Sequence, residues 1–489
     1  MKINDALMLR ASVKSFKPER EVAPDVMEAI YDAARWAPSP ENVQHVRFII
    51  IKDEQIKSWI AQMSREIREH GRTRVPAPLL NERLKMVPPE IRPLYMEKMT
   101  NSEAAGDIIE TCDTLVLAIG NGNWYDTPYL VAPPEFGGIV CATAIQNMWT
   151  SAVGNNIGMS LVTQPFASER NAMLIKDRLG IPHDWELFAG LCFGVAEKRN
   201  RLYPTARAPK IPLERLVFDG YWGRQYKRMA FKDDLDEKDY MPPDYNFSMD
   251  VFDSIYLRRS IRTFKEKHDV YEQDGGGKIP EWKIEALLEA ARNTASMFNA
   301  QNFRFVLLRE PRDHYIKEKL GHAALEMSKY VFGMVPWNQV ADRLWYIPKH
   351  TYPGIMEYMA DGSLMYYPTR ANAIIIPCVQ PAYNGEPIGR MGGTNLASIF
   401  VSMAIQNMWN LCPVLGLGIG FNALTSSDIR RRQLWMEELG IPGSWMMPAC
   451  LGIGIPATPR NASPPRFPVS SLFFNEYWGK PYKRIAFRD

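Results

Sequence analysis

The chain repeats itself, and the repeat constrains its fold more than any other feature of its 489 residues. Leu9-Arg10-Ala11-Ser12-Val13-Lys14-Ser15-Phe16 returns as Leu257-Arg258-Arg259-Ser260-Ile261-Arg262-Thr263-Phe264. Ala33-Ala34-Arg35, followed by Asn42, Gln44 and Arg47-Phe48, returns as Ala290-Ala291-Arg292, then Asn299, Gln301 and Arg304-Phe305. Ile145-Gln146-Asn147-Met148-Trp149 recurs letter for letter as Ile405 to Trp409, and Leu179-Gly180-Ile181-Pro182 as Leu439 to Pro442. Tyr221-Trp222-Gly223 and the Tyr-Lys-Arg after it recur as Tyr477-Trp478-Gly479 and Tyr482-Lys483-Arg484. Blocks that keep one order while their spacing drifts by a few residues describe a duplicated unit with small loop changes. The first unit is expected over residues 1–231 and the second over 251–489. Residues 232–250, acidic and carrying Pro242-Pro243, read as an extended linker that lets the units lie side by side.

Hydrophobic periodicity places the elements. Pro24 opens an amphipathic helix through Ala37, with Val26, Ile30, Ala33 and Ala34 at helical spacing. Phe48 to Ile51, Leu115 to Ile119 and Leu187 to Ala196 are expected strands, and Gly137 to Val153 an apolar helix. The second unit repeats the series as a helix near 280–293, strands 303–308 and 373–379, a helix 393–411 and a strand 446–455. Strands alternating with helices and helical hairpins predict an α+β fold, a mixed β-sheet flanked by helices.

Composition removes several classes of function. Apolar residues at 46% and charged residues at 23% fit a soluble globular protein, and a net charge of +3 favours no acidic partner. No basic stripe or zinc-finger spacing points to nucleic acid, and no apolar run reaches the length of a membrane span. The opening MKINDALMLR has no apolar leader core. Cys112, Cys141, Cys192, Cys378, Cys412 and Cys450 are scattered without metal or disulfide spacing, so reduced buried thiols and a cytoplasmic location are expected. The seven histidines show no paired metal-ligand spacing.

Two strings carry chemistry. Arg258-Arg259-Ser260-x-Arg262 offers forked donors and a hydroxyl within five residues, suited to a phosphate. Alone, such a string is a solvated basic turn, and Pro38-Ser39-x-x-Asn42-x-Gln44 alone is a helix stop. Together and duplicated, with Gln406-Asn407, Gly416-Leu417-Gly418 and Arg466-Phe467-Pro468 downstream, they resemble the nitroreductase family over essentially all of both halves. The resemblance is least secure over 61–110 and 317–369.

That resemblance implies a nitroreductase-like fold in two tandem copies forming an intramolecular pseudo-dimer, and hence a monomeric chain. It also implies FMN held between the units. The first of two such sites would combine Arg258, Arg259, Ser260, Arg262 and Arg466 with Pro38, Ser39 and Asn42 from the other unit. The backbone of Asn422, Ala423 and Leu424 would lie by the reactive edge of the ring. The second would combine Arg10, Ser12, Lys14 and Lys210 with Ser296 and Asn299. There Ala11 replaces an arginine, Lys210 replaces Arg466, Ala295-Ser296 replaces Pro-Ser, and Asn156-Ile157-Gly158 replaces Gly-Leu-Gly. Lysine keeps the charge but loses the fork, so one strong and one weaker site are expected.

The family's flavin carries the chemistry, so no catalytic residue and no metal are expected. NAD(P)H would serve as electron donor in a ping-pong reduction of a planar hydrophobic acceptor: a nitroaromatic, a quinone or an enone. Two alternatives remain open from the residues: a flavin-holding protein with little turnover, or a specialised flavin reaction such as dehalogenation, flavin fragmentation or substrate oxidation. Segments 61–110 and 317–369, which match neither each other nor the family well, are where substrate selection is expected. The second is rich in Met, Tyr and Trp, including Met327, Tyr330, Trp337, Trp345, Met359 and Tyr367, most of them expected to be packing residues. The first carries Arg65, Arg68, Arg72 and Arg74, expected on a solvated helix face.

Overall fold

A computed structural model describes residues 1–71, 93, 103–121, 135–166, 168–197, 210–228, 249–265, 279–296, 301–334, 338, 341, 348–380, 390–391, 394–427, 429–457 and 464–486. The first half contains α1 (Ile3–Leu9), α2 (Pro24–Arg35), β1 (Val46–Ile51), α3 (Glu54–Gly71), α4 (Glu103–Thr111), β2 (Thr114–Gly120), α5 (Glu135–Gly154), β3 (Gly158–Val162), α6 (Glu169–Leu179), β4 (Glu186–Gly194) and β5 (Val217–Asp219). The second contains α7 (Val251–Leu257), α8 (Glu281–Arg292), β6 (Phe303–Arg309), α9 (His314–Met334), α10 (Tyr352–Ala360), β7 (Ala373–Val379), α11 (Leu396–Leu415), β8 (Gly418–Asn422), α12 (Ile429–Glu438), β9 (Cys450–Gly454) and β10 (Phe473–Asn475). The expected helix-flanked mixed sheet is present twice. Of the expected linker only Met249 and Asp250 lie within the described residues; Met249 accepts from the Ile3 amide at 3.0 Å.

Each sheet is completed by the other half. One runs β10-β1-β2-β4-β3 and the other β8-β9-β7-β6-β5. Neighbours are antiparallel except at the exchanged strands: Phe48 pairs in parallel with Phe473, and Val217 with Phe305. The second half's last strand therefore closes the first half's sheet, and the reverse. Phe473 packs against Phe48 at 4.6 Å and Tyr31 at 4.7 Å between ring centroids.

The exchanged tails are clasped by buried carboxylates. Glu28, fully buried on α2, accepts from the Tyr482 hydroxyl at 3.1 Å and the Ala486 amide at 3.1 Å, and also from the Ile485 amide. Glu285 on α8 repeats the device, accepting from Tyr226 at 3.0 Å. Burial of a charge is tolerable here because donors surround it.

The helices α5 and α11 pack against each other at the centre, and the repeated pentapeptide explains itself there. Asn147 donates to the Ala33 carbonyl at 3.1 Å, which also accepts from the Trp36 amide at 3.3 Å, and Asn407 donates to the Ala290 carbonyl at 3.1 Å, each bond lying near a helix C-terminus. The Asn147 side-chain oxygen accepts from Gln406 at 2.8 Å and from Asn410 at 2.9 Å. Asn147→Ala removes the acceptor of the Asn410 side-chain amide, while the Ala33 carbonyl keeps the Trp36 amide and Gln406 keeps the Asn410 oxygen. It should cost about 1–3 kcal/mol, read as a lowered urea midpoint, because a buried donor left unsatisfied costs about that much. An unchanged midpoint would mean these bonds are dispensable.

Candidate functional site

Backbone placement comes first. The segment after α7 crosses the strand β8, with the Ile261 amide donating to the Ile419 carbonyl at 3.0 Å. Glycine is required beneath it: a Cβ on Gly418 would strike the Ile261 side chain, and one on Gly420 would lie 2.6 Å from the Ile261 carbonyl oxygen. The close approach accounts for Gly418 and Gly420, whereas Gly416 has a φ of 64°, a left-handed backbone that glycine takes without strain. In the first half Val13 bonds Met159 in the same way at 3.0 Å, but Ser160 stands where Gly420 stands.

The arginines then converge from two segments, the one after α7 and the second half's tail. Arg258 is 3% exposed, donates Nη2 to the Trp36 carbonyl at 3.2 Å and lies 5.0 Å over the Trp409 ring. Its Nε and Nη1 are buried without a hydrogen-bond partner. Burial, then the charges of Arg466 and Arg259, push its pKa well below the ordinary guanidinium value. Arg466 arrives from the second half's tail, donates to Asn42 and sits 5.8 Å over Trp36. A buried cation with two unused N–H groups and two cationic neighbours is built for an anion.

The loop from the other half completes the wall. Ser39 Oγ accepts from the Gln44 amide at 3.0 Å, Asn42 donates to the Pro465 carbonyl at 2.9 Å, and Gln44 accepts from the Phe467 amide at 2.8 Å. Glu41, Asn42 and Gln44 have φ of 47°, 59° and 51°, left-handed values that the surrounding hydrogen bonds hold in place, and Gln301 repeats the Gln44 value at 48°. Pro38 and Ser39 lie between Trp36 and this turn. Ser260 and Arg262 sit on the crossing segment, where the Arg262 Nε is buried without a hydrogen-bond partner beside buried Tyr367. Asn422, also buried, caps the following turn: its Oδ1 accepts from the Leu424 amide at 3.0 Å and its Nδ2 donates to the Met365 carbonyl at 3.2 Å. Ala423 lies between them.

In the equivalent cradle of the other half the cations also bond protein oxygens, and the Arg10 Nη1, like the Arg258 Nε and Nη1, is buried without a hydrogen-bond partner. Arg10 donates Nε to the Asn293 carbonyl at 3.2 Å and lies 4.9 Å over Trp149. Lys210 donates to the Thr294 carbonyl at 2.7 Å, and Lys14 to the Ser160 hydroxyl at 3.3 Å. Ser12 bridges to Met159, and Ser296 accepts from the Gln301 amide at 2.9 Å. Asn299 lies outside the described residues.

Sequence reasoning missed the tryptophans. Trp149 and Trp409 end the repeated pentapeptide and each carries the first arginine of the repeated Arg-x-Ser motif; that joint repetition was the available clue. Of the aromatic-rich segment, Met327, Met359 and Tyr367 are buried and Tyr330 is exposed, while Trp337 and Trp345 lie outside the described residues. Arg65 pairs with Glu110 at 2.6 Å on a helix face; the side chains of Arg68, Arg72 and Arg74 lie outside the described residues. All six cysteines are free and buried. Among the described residues no cluster of His, Cys, Asp and Glu could hold a metal, and no helix is long and apolar enough to cross a membrane.

Comparison with known proteins follows the repeat. The sequence model of the nitroreductase family matches residues 7–195 and again 255–455. Protein DrgA of Synechocystis sp. is 23% identical over 243 residues, covering 46% of this chain and 95% of the relative. A BluB-like flavoprotein from Clostridium difficile 630 is 22% identical, with a TM-score of 0.32, covering 44% of this chain and 97% of that one. A nitroreductase with bound FMN from Desulfitobacterium hafniense DCB-2 is 20% identical, with a TM-score of 0.28, covering 43% and 95%.

Proposed function

Because the chain belongs to the nitroreductase family, we propose that it is an FMN-dependent oxidoreductase that uses NAD(P)H to reduce a planar hydrophobic acceptor. Nitroaromatics, quinones and enones are the acceptor classes. The observation that carries this reading is Arg258, a buried guanidinium with two unused N–H groups between Arg259 and Arg466. The donor set fits a phosphate monoester: forked, cationic and backed by the Ser260 hydroxyl. FMN, when bound, supplies hydride-transfer chemistry between donor and acceptor, and the protein supplies position and electrostatics.

The chain's own residues divide that work. Arg258, Arg259, Ser260 and Arg466 hold the phosphate. Arg262 supplies positive charge towards the pyrimidine edge of the ring, where negative charge develops on reduction. The Ile261 segment over Gly418 and Gly420 forms a flat wall, and Pro38, Ser39 and Asn42 close the site from the other half. The second cradle is the weaker one, because Ala11 stands where Arg259 stands and Lys210 offers no guanidinium fork where Arg466 does. Completion of each sheet within one chain supports a monomer of 55.9 kDa in solution, which a sizing measurement checks.

The test is an anaerobic visible spectrum of purified protein before and after NADPH, then NADH. The expected result is a yellow protein that bleaches with at least one donor. A yellow protein that refuses both would contradict the reductase reading, and a colourless protein that FMN cannot reconstitute would contradict the site.

A further inference from the structure

The wall beside Arg262 holds more polar groups than its own bonding uses. Tyr367 is 2% exposed, and its hydroxyl, the Arg262 Nε and the Thr425 hydroxyl are each buried without a hydrogen-bond partner. Asn422 stands among them with its side chain already committed, Nδ2 to the Met365 carbonyl and Oδ1 to the Leu424 and Thr425 amides. Burial pushes the Tyr367 pKa well above the ordinary tyrosine value, against smaller opposing pulls from Arg262 and Asn422. Tyr367 is therefore held as a phenol, able to donate. Unmade hydrogen bonds in a dry wall are costly, and three together mark a surface that something else completes.

The duplication provides an internal control. The positions matching Tyr367, Asn422 and Thr425 in the other half are Ile108, Val162 and Pro165, all buried and all without a polar side chain. The fold therefore closes this wall with apolar groups when nothing polar is needed. The second half instead makes room for a phenol ring. A Cβ on Gly420 would lie 2.4 Å from the Tyr367 ring and one on Gly452 3.1 Å from it, where the other half carries Ser160 and Cys192. Asn422 also fixes the ring's place, because its bond to the Met365 carbonyl ties the Tyr367 segment to the turn at Leu424.

We propose that the Tyr367 hydroxyl donates to the pyrimidine edge of the flavin beside Arg262, and that this bond raises the flavin's reduction potential. The proposal rests on the flavin reading above and deepens it. Negative charge develops on that edge when the ring is reduced, so a fixed donor there favours the reduced form over the oxidised. The other half, with Ile108 in this place, has no such donor to offer.

The experiment loads wild type and Tyr367→Phe with FMN and reads the two-electron potential by anaerobic reduction against a reference dye. Phenylalanine keeps the ring over Gly420 and Gly452 and removes only the hydroxyl. The variant's potential should fall by about 30 mV, the shift of a two-electron couple for a tenfold loss of preference for the reduced form. Its urea midpoint without flavin should match the wild type's, because the hydroxyl has no hydrogen-bond partner there. An unmoved potential overturns the proposal, whether or not the midpoint falls, since the hydroxyl would then serve packing or buried water alone; the flavin reading would stand. A wild type that binds no FMN overturns the flavin reading itself, and this proposal with it.

Discussion

Arg466→Ala is expected to release most of the bound flavin, with affinity falling about 10- to 100-fold, while Lys210→Ala releases little. The two residues occupy matched positions before Phe467-Pro468 and Ile211-Pro212, so sequence position alone predicts equal effects. Their surroundings differ. Lys210 donates to the Thr294 carbonyl at 2.7 Å, while Arg466 donates to Asn42 and offers a guanidinium fork that an ammonium lacks. Arg466 stands beside Arg258, whose unused donors make this the cradle that gains most from an anion. A charge-assisted hydrogen bond is worth about 1.5–3 kcal/mol, which sets the fold-change. Flavin retained after gel filtration reads the result, and equal losses from both variants would contradict one strong site. The same reasoning predicts a trade at Arg258. Arg258→Met should abolish retention yet stabilise the flavin-free protein by about 1–3 kcal/mol, because an uncompensated buried charge is removed.

Deleting residues 469–489 is expected to unfold the first half of the chain, not the second from which the residues are cut. The deletion removes β10 from the edge of β1, leaving Phe48 and Tyr31 without Phe473. It also leaves Glu28 buried without Tyr482, Ile485 and Ala486. Loss of one buried Phe costs about 3–5 kcal/mol, and an uncompensated buried carboxylate a similar amount. Together these approach the whole stability of a typical domain. Hydrogen exchange should show lost protection across Val46–Ile51 while Phe303–Arg309, whose edge strand β5 is intact, keeps its own. Unchanged protection in β1 would contradict the exchange of strands.

Much of this architecture is legible in the residues, for a physical reason. Phe48 to Ile51 and Leu115 to Ile119 are continuous apolar runs because both faces of their sheet are covered, and such runs declare themselves. The centres of the two long apolar helices were also clear, and their bounds shifted only slightly. The exchanged strands were not legible. Phe473–Asn475 and Val217–Asp219 are too short to show a period, and nothing local says which sheet a strand joins. The site was half legible: the residue types of both cradles could be read, and Ala11 and Lys210 marked one as weaker. What could not be read is that Arg258 keeps two buried donors unused, since that depends on which carbonyls from the other half come within reach.

The most direct test of one strong site is the number of FMN molecules bound per chain. Flavin-free protein is titrated with FMN at concentrations well above the dissociation constant, and the equivalence point is read from quenching of flavin fluorescence. The expected result is one FMN per chain, falling to none in Arg258→Met and remaining at one in Lys210→Ala. Two equivalents with a single shared affinity would contradict the account, because the cradle with Ala11 and Lys210 in place of Arg259 and Arg466 would then bind as well as the one built around Arg258.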